Sequence, residues 1–509
     1  MLSRIMRGKR GAFLLLLGAN VYLASGGCSK QPPRIIQYQD FAIQYHITAE
    51  AGESKEDTFL RQNDAFSMNC QKHLKLVEHV RKTHVMGSQV DLYDRLRTAM
   101  IQVLQEGKLP TPLVVANHDK TELEVFYQGE RLHYAPPVLL RYVSFISNFD
   151  SVPYFYTGED FCKEASHFSS VIQQKLITSL SDVPNTVNLE SLFHKSIFRY
   201  FVAGLDPHSG VQENAEHWYK KNGLQRYLEN GRHDNIYYEE ALFQVGEDRI
   251  QPQWVENSDI LKIEILDFSN EDFGAEFKAI YEKATQEKKP KALILDLRRN
   301  GGGFADASAQ LADLFISKGL LLNFMVKVGD RFEPSPTVAL PGNEIPGIGQ
   351  IPVIVLVGRF SASSSETFAA AMKDNGAAIV IGEDTFGKGT GQFQTQVNQM
   401  TELTEKGLNE ISSVLTLTTF YTFSPNGDAL QLKGVAPHIE LQDQAFLSYG
   451  NFREKSWHHA LSTASFTDLP KNFQDEMNPL TAIWKMKLDQ YFSDREKFRL
   501  RDLYEALNP

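Results

Sequence analysis

Two hydrophobic rhythms divide this chain. From Phe59 to about Gly210, apolar residues recur at helical spacing: Leu74, Val77 and Val80, then Leu92, Leu96, Met100 and Val103. Side chains three and four residues apart share one helix face, so this pattern predicts amphipathic helices packed through that stripe. Asn117 to Tyr127 reads as a short strand excursion, and Pro136-Pro137 and Ser151-Val152-Pro153 punctuate the region. From Asp259 the rhythm changes. Ile260 to Leu266, Ala292 to Leu297, Val353 to Val357, Ala378 to Ile381 and Val414 to Tyr421 are apolar runs of strand length. Helix faces lie between them: Phe273, Phe277, Ile280 and Tyr281, then Ala307, Leu311, Leu314 and Phe315, with Lys318-Gly319 as a stop signal. A third helix starts in a serine cluster after Val357 and ends at Asn375-Gly376. Buried strands alternating with helices predict an α/β core. After about Gln442 the pattern is again helical and charged. Residues 213 to 256 are polar and aromatic, with one candidate helix from Ala215 to Leu228.

Composition adds bounds. With 509 residues, 42% apolar and 23% charged, the chain is globular and long enough for several domains. A formal charge of −11 argues against nucleic acid as the main partner. Arg4, Arg7, Lys9 and Arg10 precede a short apolar run from Ala12 to Ala24 and the small residues Ser25-Gly26-Gly27, which is the layout of a cleaved export signal. Cys28 follows, then a polar stretch with Pro32-Pro33. This resembles a bacterial lipoprotein signal, with Cys28 as the lipidated first residue of the mature chain. Ser25 stands where that pattern usually has leucine, so plain cleavage releasing a soluble protein is the alternative. No later segment approaches a membrane-spanning length. In an oxidising compartment Cys70 and Cys162 are either a disulfide or two buried thiols. Neither sits in a metal-ligand pattern.

The chemistry concentrates between Phe360 and Gln392. Ser363-Ser364-Ser365-Glu366 fits a capping box, serine at N-cap and glutamate at N3. The same position exposes a serine to free helix N–H groups and the positive dipole end, which stabilise a developing oxyanion. A serine also needs a base, and Lys388, in the turn Gly387-Lys388-Gly389, serves if burial suppresses its charge. Gly382-x4-Gly387-Lys388 nearly spells a phosphate-binding loop, but Gly389 stands where that motif requires Ser or Thr. Gly301-Gly302-Gly303 after a buried strand is either a tight turn or a backbone donor site. There is no His-Glu-x-x-His zinc motif and no Gly-x-Ser-x-Gly elbow, and His458-His459 reads as a helix surface pair.

These elements, in this order, resemble the carboxy-terminal processing peptidases, or tail-specific proteases. The matching segments are Ile294 to Gly303 (Ile-Leu-Asp-Leu-Arg-Arg-Asn-Gly-Gly-Gly), Val357 to Met372, Ile381 to Gln392 and Leu432-Lys-Gly-Val-Ala-Pro437, with His438 in place of the family's aspartate. Asp206-Pro-His-Ser209 resembles the element that closes the family's N-terminal helical region. The resemblance implies a crotonase-like β/α protease core, with a mainly helical N-terminal region and a helical C-terminal tail. It implies Ser363 as nucleophile and Lys388, 25 residues later, as general base. Gln392 would orient the lysine, and the N–H groups of Gly303 and Ser364 would form the oxyanion hole. No metal or cofactor is implied.

The expected layout is a signal peptide (1–27), a tether (28–58), a helical domain (59–212), a bridge or lid (213–257), the protease core (258–442) and a helical tail (443–509). The family usually carries a PDZ domain where this chain has only the short bridge. The expected activity is that of an exported serine endopeptidase acting on envelope proteins or peptides. A non-catalytic peptide-binding or scaffold protein on the same fold is the alternative. Lipid on Cys28 would anchor the protein to the bacterial envelope, facing the periplasm, at the outer membrane; an adaptor is left unspecified.

Overall fold

The structure is a computed structural model. It describes residues 69–87, 89, 91–105, 114–116, 123–127, 130–135, 157–179, 189–213, 249–404, 407–441, 452–457, 459–472, 477–493 and 499–508. The signal, the tether, Cys28, most of the bridge and the Ala215–Leu228 helix lie outside the described residues. Two compact units emerge. A helical unit takes the described residues up to 213 together with 392–418; a core unit takes those from 249 to 391 and from 419 onward.

In the helical unit, α1 (Cys70–Thr83), α2 (Leu92–Gln105), α3 (Gly158–Ser179) and α4 (Leu189–Ala203) bury the predicted stripes. Val77, Val80, Leu96, Met100 and Val103 meet Phe161, Phe168, Phe193 and Phe198 in one cluster. The strand excursion is larger than the sequence suggests: β1 (Val114–Ala116), β2 (Leu123–Tyr127) and β3 (Glu130–Ala135) form an antiparallel meander. β4 (Gly210–Glu213) pairs with residues 413–416. Cys70 and Cys162 form a disulfide, with Cα atoms 5.5 Å apart, that ties α1 to α3.

The core unit is built on a six-stranded sheet ordered β14-β11-β10-β7-β6-β5. Its strands are β5 (Ile250–Trp254), β6 (Ile260–Ile265), β7 (Ala292–Asp296), β10 (Val353–Val357), β11 (Ile379–Gly382) and β14 (Ile439–Glu440). All pairings are parallel except β5 with β6. Parallel strands buried on both faces need apolar residues at every position, as Ala-Leu-Ile-Leu in β7 and Val-Ile-Val-Leu-Val in β10 supply. Side chains alternate between two clusters. Leu293, Leu295, Val355 and Val380 pack with α5 (Phe273–Ala284), α6 (Ala305–Asp313) and α7 (Ser364–Asp374) through Phe277, Leu311 and Phe368. Ile294, Ile354, Leu356 and Ile381 pack with α8 (Pro479–Phe492) and α9 (Leu500–Leu507) through Leu488, Phe492, Leu503 and Leu507. Burying each such Leu or Phe contributes roughly 1.5–3 kcal/mol.

Three details depart from the sequence pattern. α6 ends at Asp313, because Leu314 and Phe315 close tighter bonds to Leu311 and Ala312 instead of continuing the helix. Lys318-Gly319 therefore precedes a strand. β8 (Leu320–Val328) and β9 (Arg331–Val338) make an antiparallel hairpin that pairs with Phe420–Phe423 of β13 (Gly407–Phe423). His459 sits in a turn with φ 69°, so it is not on a helix face. β12 (Thr390–Thr404) and β13 carry the chain out of the core unit after Gly391 and back at Thr419.

The helical unit holds buried histidines. His73 Nδ1 lies 3.1 Å from His194 Nδ1, and the His73 ring stands edge-on to Phe161. Burial pushes His79 and His194 down to about 4, so both are neutral in the fold at neutral pH. Unfolding restores ordinary imidazoles that titrate near 6.5. Below that pH the unfolded chain takes up more protons, so this stabilisation is complete above 6.5 and is lost as pH falls through about 4. Each histidine contributes on the order of 3 kcal/mol across that window. The melting temperature by circular dichroism is expected to drop between pH 7 and 4.5. His194→Gln, which keeps a polar partner for His73 but takes up no proton, is expected to shrink the drop. An equal drop in the variant would contradict this source.

Candidate active site

Each expected site element of the core unit follows the C-terminal end of a parallel strand. β7 runs into the triple glycine, β10 into the serine cluster, and β11 into the lysine turn; in the sheet these strands are neighbours, β11-β10-β7. That edge is where open α/β sheets place ligands. The turn after β7 is fixed by Asp296, whose carboxylate takes a two-pronged bond from Arg298 at 2.9 and 2.7 Å, with Lys262 at 3.6 Å. Burial works against this charge, but Arg298 and Lys262 outweigh it and hold the carboxyl below its usual range.

The serine cluster resolves into different roles. Ser361, Ser364 and Ser365 are buried, and their hydroxyls donate to the carbonyls of Leu297, Gly303 and Asn300 at 2.8 Å each. They stitch the β10 loop to the β7 loop. Ser363 is half-buried and has φ 56°, ψ −115°, a region that non-glycine residues rarely occupy. Such a conformation costs on the order of 1–3 kcal/mol and persists only where neighbours enforce it. Here Ala362 N–H donates to Asn300 O at 3.1 Å, and Ser363 O accepts from Glu366 and Thr367 N–H.

The triple glycine lies directly against this turn. A Cβ on Gly302 (φ 106°) would sit 2.8 Å from Ala362 O and from Ser363 Cβ, so only glycine fits. Gly303 (φ 147°) bridges to Phe268, with Phe268 N–H donating to Gly302 O and Phe304 N–H to Phe268 O. The Ser364 hydroxyl then holds Gly303 O, so Gly303 and Ser364 are tied together.

Glu366 joins the serine turn to the lysine turn. It is fully buried, and its carboxylate accepts four hydrogen bonds. Oε2 takes Ser363 N–H at 2.9 Å and Lys388 N–H at 2.8 Å; Oε1 takes Gly387 N–H at 2.6 Å and the Thr385 hydroxyl at 2.5 Å. One oxygen thus pins the backbones of Ser363 and Lys388 side by side. Burial pushes the carboxyl up to about 7, against the four donors, which favour its charged form. The lysine turn is braced from elsewhere too. Leu432 and Val435 bond to Gly387 O and Thr385 Oγ1, Gln431 accepts Gly389 N–H, and Glu454 N–H donates to Phe386 O. Lys388 is 6% exposed, the burial that a lysine base requires. His438, in place of the family's aspartate, accepts Val380 N–H through Nδ1 at 3.0 Å, a bond that a carboxylate would also accept.

Gln392 opens the excursion into the helical unit, where its Nε2 donates to Thr418 Oγ1 at 3.1 Å. Cys28 lies outside the described residues. No cluster of three metal-ligating side chains occurs among the described residues. In the sequence Glu366 reads as a cap alone and nothing local marks Thr385; the Ser-x-x-Glu spacing is the signal for the former.

Comparison with known proteins matches residues 259–441 to Peptidase family S41. The chain is 36% identical over 160 residues to the tail-specific protease of Haemophilus influenzae, covering 31% of this chain and 21% of that one. It is 30% identical over 198 residues to the carboxy-terminal-processing protease of Bartonella bacilliformis, covering 36% and 39%. The match therefore spans well under half the length of these relatives. Among solved structures, a photosystem II D1 C-terminal processing protease is 24% identical over 39% of this chain and 50% of that chain, with a TM-score of 0.30, too low to build on. The segment that carries the serine turn, the triple glycine and the lysine turn matches Peptidase family S41, and over that segment the chain is similar to the carboxy-terminal processing peptidases.

Proposed function

We propose that the protein is an exported serine endopeptidase that cleaves envelope proteins or peptides. Ser363 attacks the scissile carbonyl, and Lys388 takes its proton and later returns one to the leaving amine. The N–H groups of Gly303 and Ser364 receive the oxyanion, Gln392 orients the lysine, and water clears the acyl-enzyme. The reading needs no metal or cofactor. Its main support is the Glu366 carboxylate, which draws the serine and lysine backbones onto one oxygen atom. A structural cap alone would require the bond to Ser363 N–H and none of the other three. In the same reading, lipid on Cys28 holds the protein at the periplasmic face of the outer membrane, with soluble release as the alternative.

Ser363→Ala is expected to cut kcat/KM by roughly 10⁴-fold or more. Its stability cost, about 0.5–2 kcal/mol for a lost N-cap, leaves the fold intact. Turnover of a dye-labelled unfolded protein, read beside a melting curve, checks both. Retained activity here with loss in Ser365→Ala would shift the register of the nucleophile.

Lys388→Arg is expected to be almost as inactive as Lys388→Ala, because arginine stays protonated. Wild-type activity should rise from acid pH through about 7, as Glu366 loses its proton. Robust turnover by the arginine variant would assign the base elsewhere.

Glu366→Gln places an NH2 group against two donors whichever way the amide sits. Each donor left unsatisfied costs about 1–3 kcal/mol, and kcat is expected to fall on the order of 10²-fold with a smaller change in KM. Wild-type kcat in a folded variant would remove Glu366 from the account.

A further inference from the structure

The chemistry above leaves the Asp206-Pro-His-Ser209 element without a task, yet Asp206 is heavily used. The residue is fully buried in the helical unit. Its Oδ1 accepts the N–H groups of His208 and Ser209 at 2.8 and 3.1 Å and the Thr418 hydroxyl at 2.9 Å. Its Oδ2 lies 2.8 Å from His84 Nε2 and accepts the Ser209 hydroxyl at 2.5 Å. His84 Nδ1 accepts Met86 N–H at 3.2 Å, so the ring proton sits on Nε2 and points at Asp206. Burial pushes the Asp206 carboxyl up, but the bond from His84 and the other donors outweigh it and hold it well below the usual carboxylate range. It is an acceptor only.

Counting protons then decides what Thr418 can do. Its hydroxyl has one proton, and that proton goes to Asp206. Ser209 Oγ is also 3.4 Å from Thr418 Oγ1, but its own proton goes to the much closer Asp206 oxygen. Thr418 Oγ1 is left with lone pairs, and the Gln392 amide faces it at 3.1 Å. Only the NH2 end of an amide can bond to a lone pair. The amide therefore has one orientation, with Nε2 on Thr418 and Oε1 turned the other way.

We propose that Asp206, acting through Thr418, sets the orientation of the Gln392 amide, so that Gln392 offers a carbonyl oxygen to its partner in the reaction. Asp206 and Thr418 are positioning residues, and the element that closes the helical region gains a task in the chemistry. The consequence rests on the peptidase reading, in which that partner is Lys388. A lysine ammonium can donate to a carbonyl oxygen and gains nothing from an NH2 group. A flipped glutamine would lose a bond to a charged group, an effect of roughly ten- to a hundredfold in rate.

The test uses the full-length protein and a dye-labelled unfolded protein as substrate. Turnover that Ser363→Ala abolishes establishes the parent reading first. Thr418→Val, nearly the same shape without the hydroxyl, is expected to lower kcat roughly ten- to a hundredfold with KM within about twofold. Thr418→Ser is expected to restore most of it. In a Gln392→Ala background Thr418→Val should cost nothing more, since the two act through one bond. An equal cost in both backgrounds, or no loss at all, overturns the proposal. A second readout does not depend on turnover. With glutamine-selective 15N labelling, the Gln392 side-chain NH2, assigned by its loss in Gln392→Ala, is expected to exchange slowly in wild type and quickly in Thr418→Val. Equal exchange in both overturns the assigned orientation even if no Ser363-dependent turnover is found.

Discussion

A single buried carboxylate organises the core unit's site. Glu366 has four acceptor positions, and all four are filled by donors from two separate loops. Removing a carboxylate from water is costly, and burial alone drives it toward the neutral acid. The four donors work against that preference, and each one lost would let burial push the carboxyl further up. The serine turn and the lysine turn are thereby required to fold together. This also explains how Ser363 is held at φ 56°, since its N–H is one of the four donors.

The rest of the core unit serves to deliver those loops. Three adjacent parallel strands end at the same edge, and each continues into one element of the site. Hydroxyls of the buried serines then lock the β10 loop onto the β7 loop, and Gly302 allows the approach. The lysine turn gains further rigidity from Thr385, Gln431 and Glu454, which reach it from distant parts of the chain. Rigid support of this kind is what a lysine base needs, because its long stem would otherwise find water.

Much of this was legible in the sequence, for identifiable reasons. Fully buried parallel strands must be apolar at every position, so β7 and β10 stand out as continuous runs. Helix faces such as Phe273, Phe277 and Tyr281 follow from period alone. The capping box around Ser363 exposed the local geometry of the helix start, and the 25-residue interval to Lys388 matched a known pattern. Other features depend on partners far away in sequence. The β8–β9 hairpin mixes prolines and polar residues in a half-exposed strand, so its pattern is weak. Thr385 looks like any turn threonine until Glu366 and Val435 are beside it. The link from Asp206 to Thr418 joins residues more than two hundred positions apart, and no local spacing announces it.

The central claim is that Ser363, alone in its cluster, is the activated nucleophile, and that Lys388 activates it. Covalent labelling tests this directly. The full-length protein would be treated with a fluorophosphonate and the modified residue identified by peptide mass spectrometry, in wild type and in Lys388→Met. The expected result is one adduct, on Ser363, formed at a rate that collapses when the lysine is replaced. An adduct on Ser364 or Ser365, or labelling of Ser363 at the same rate without Lys388, would contradict the account.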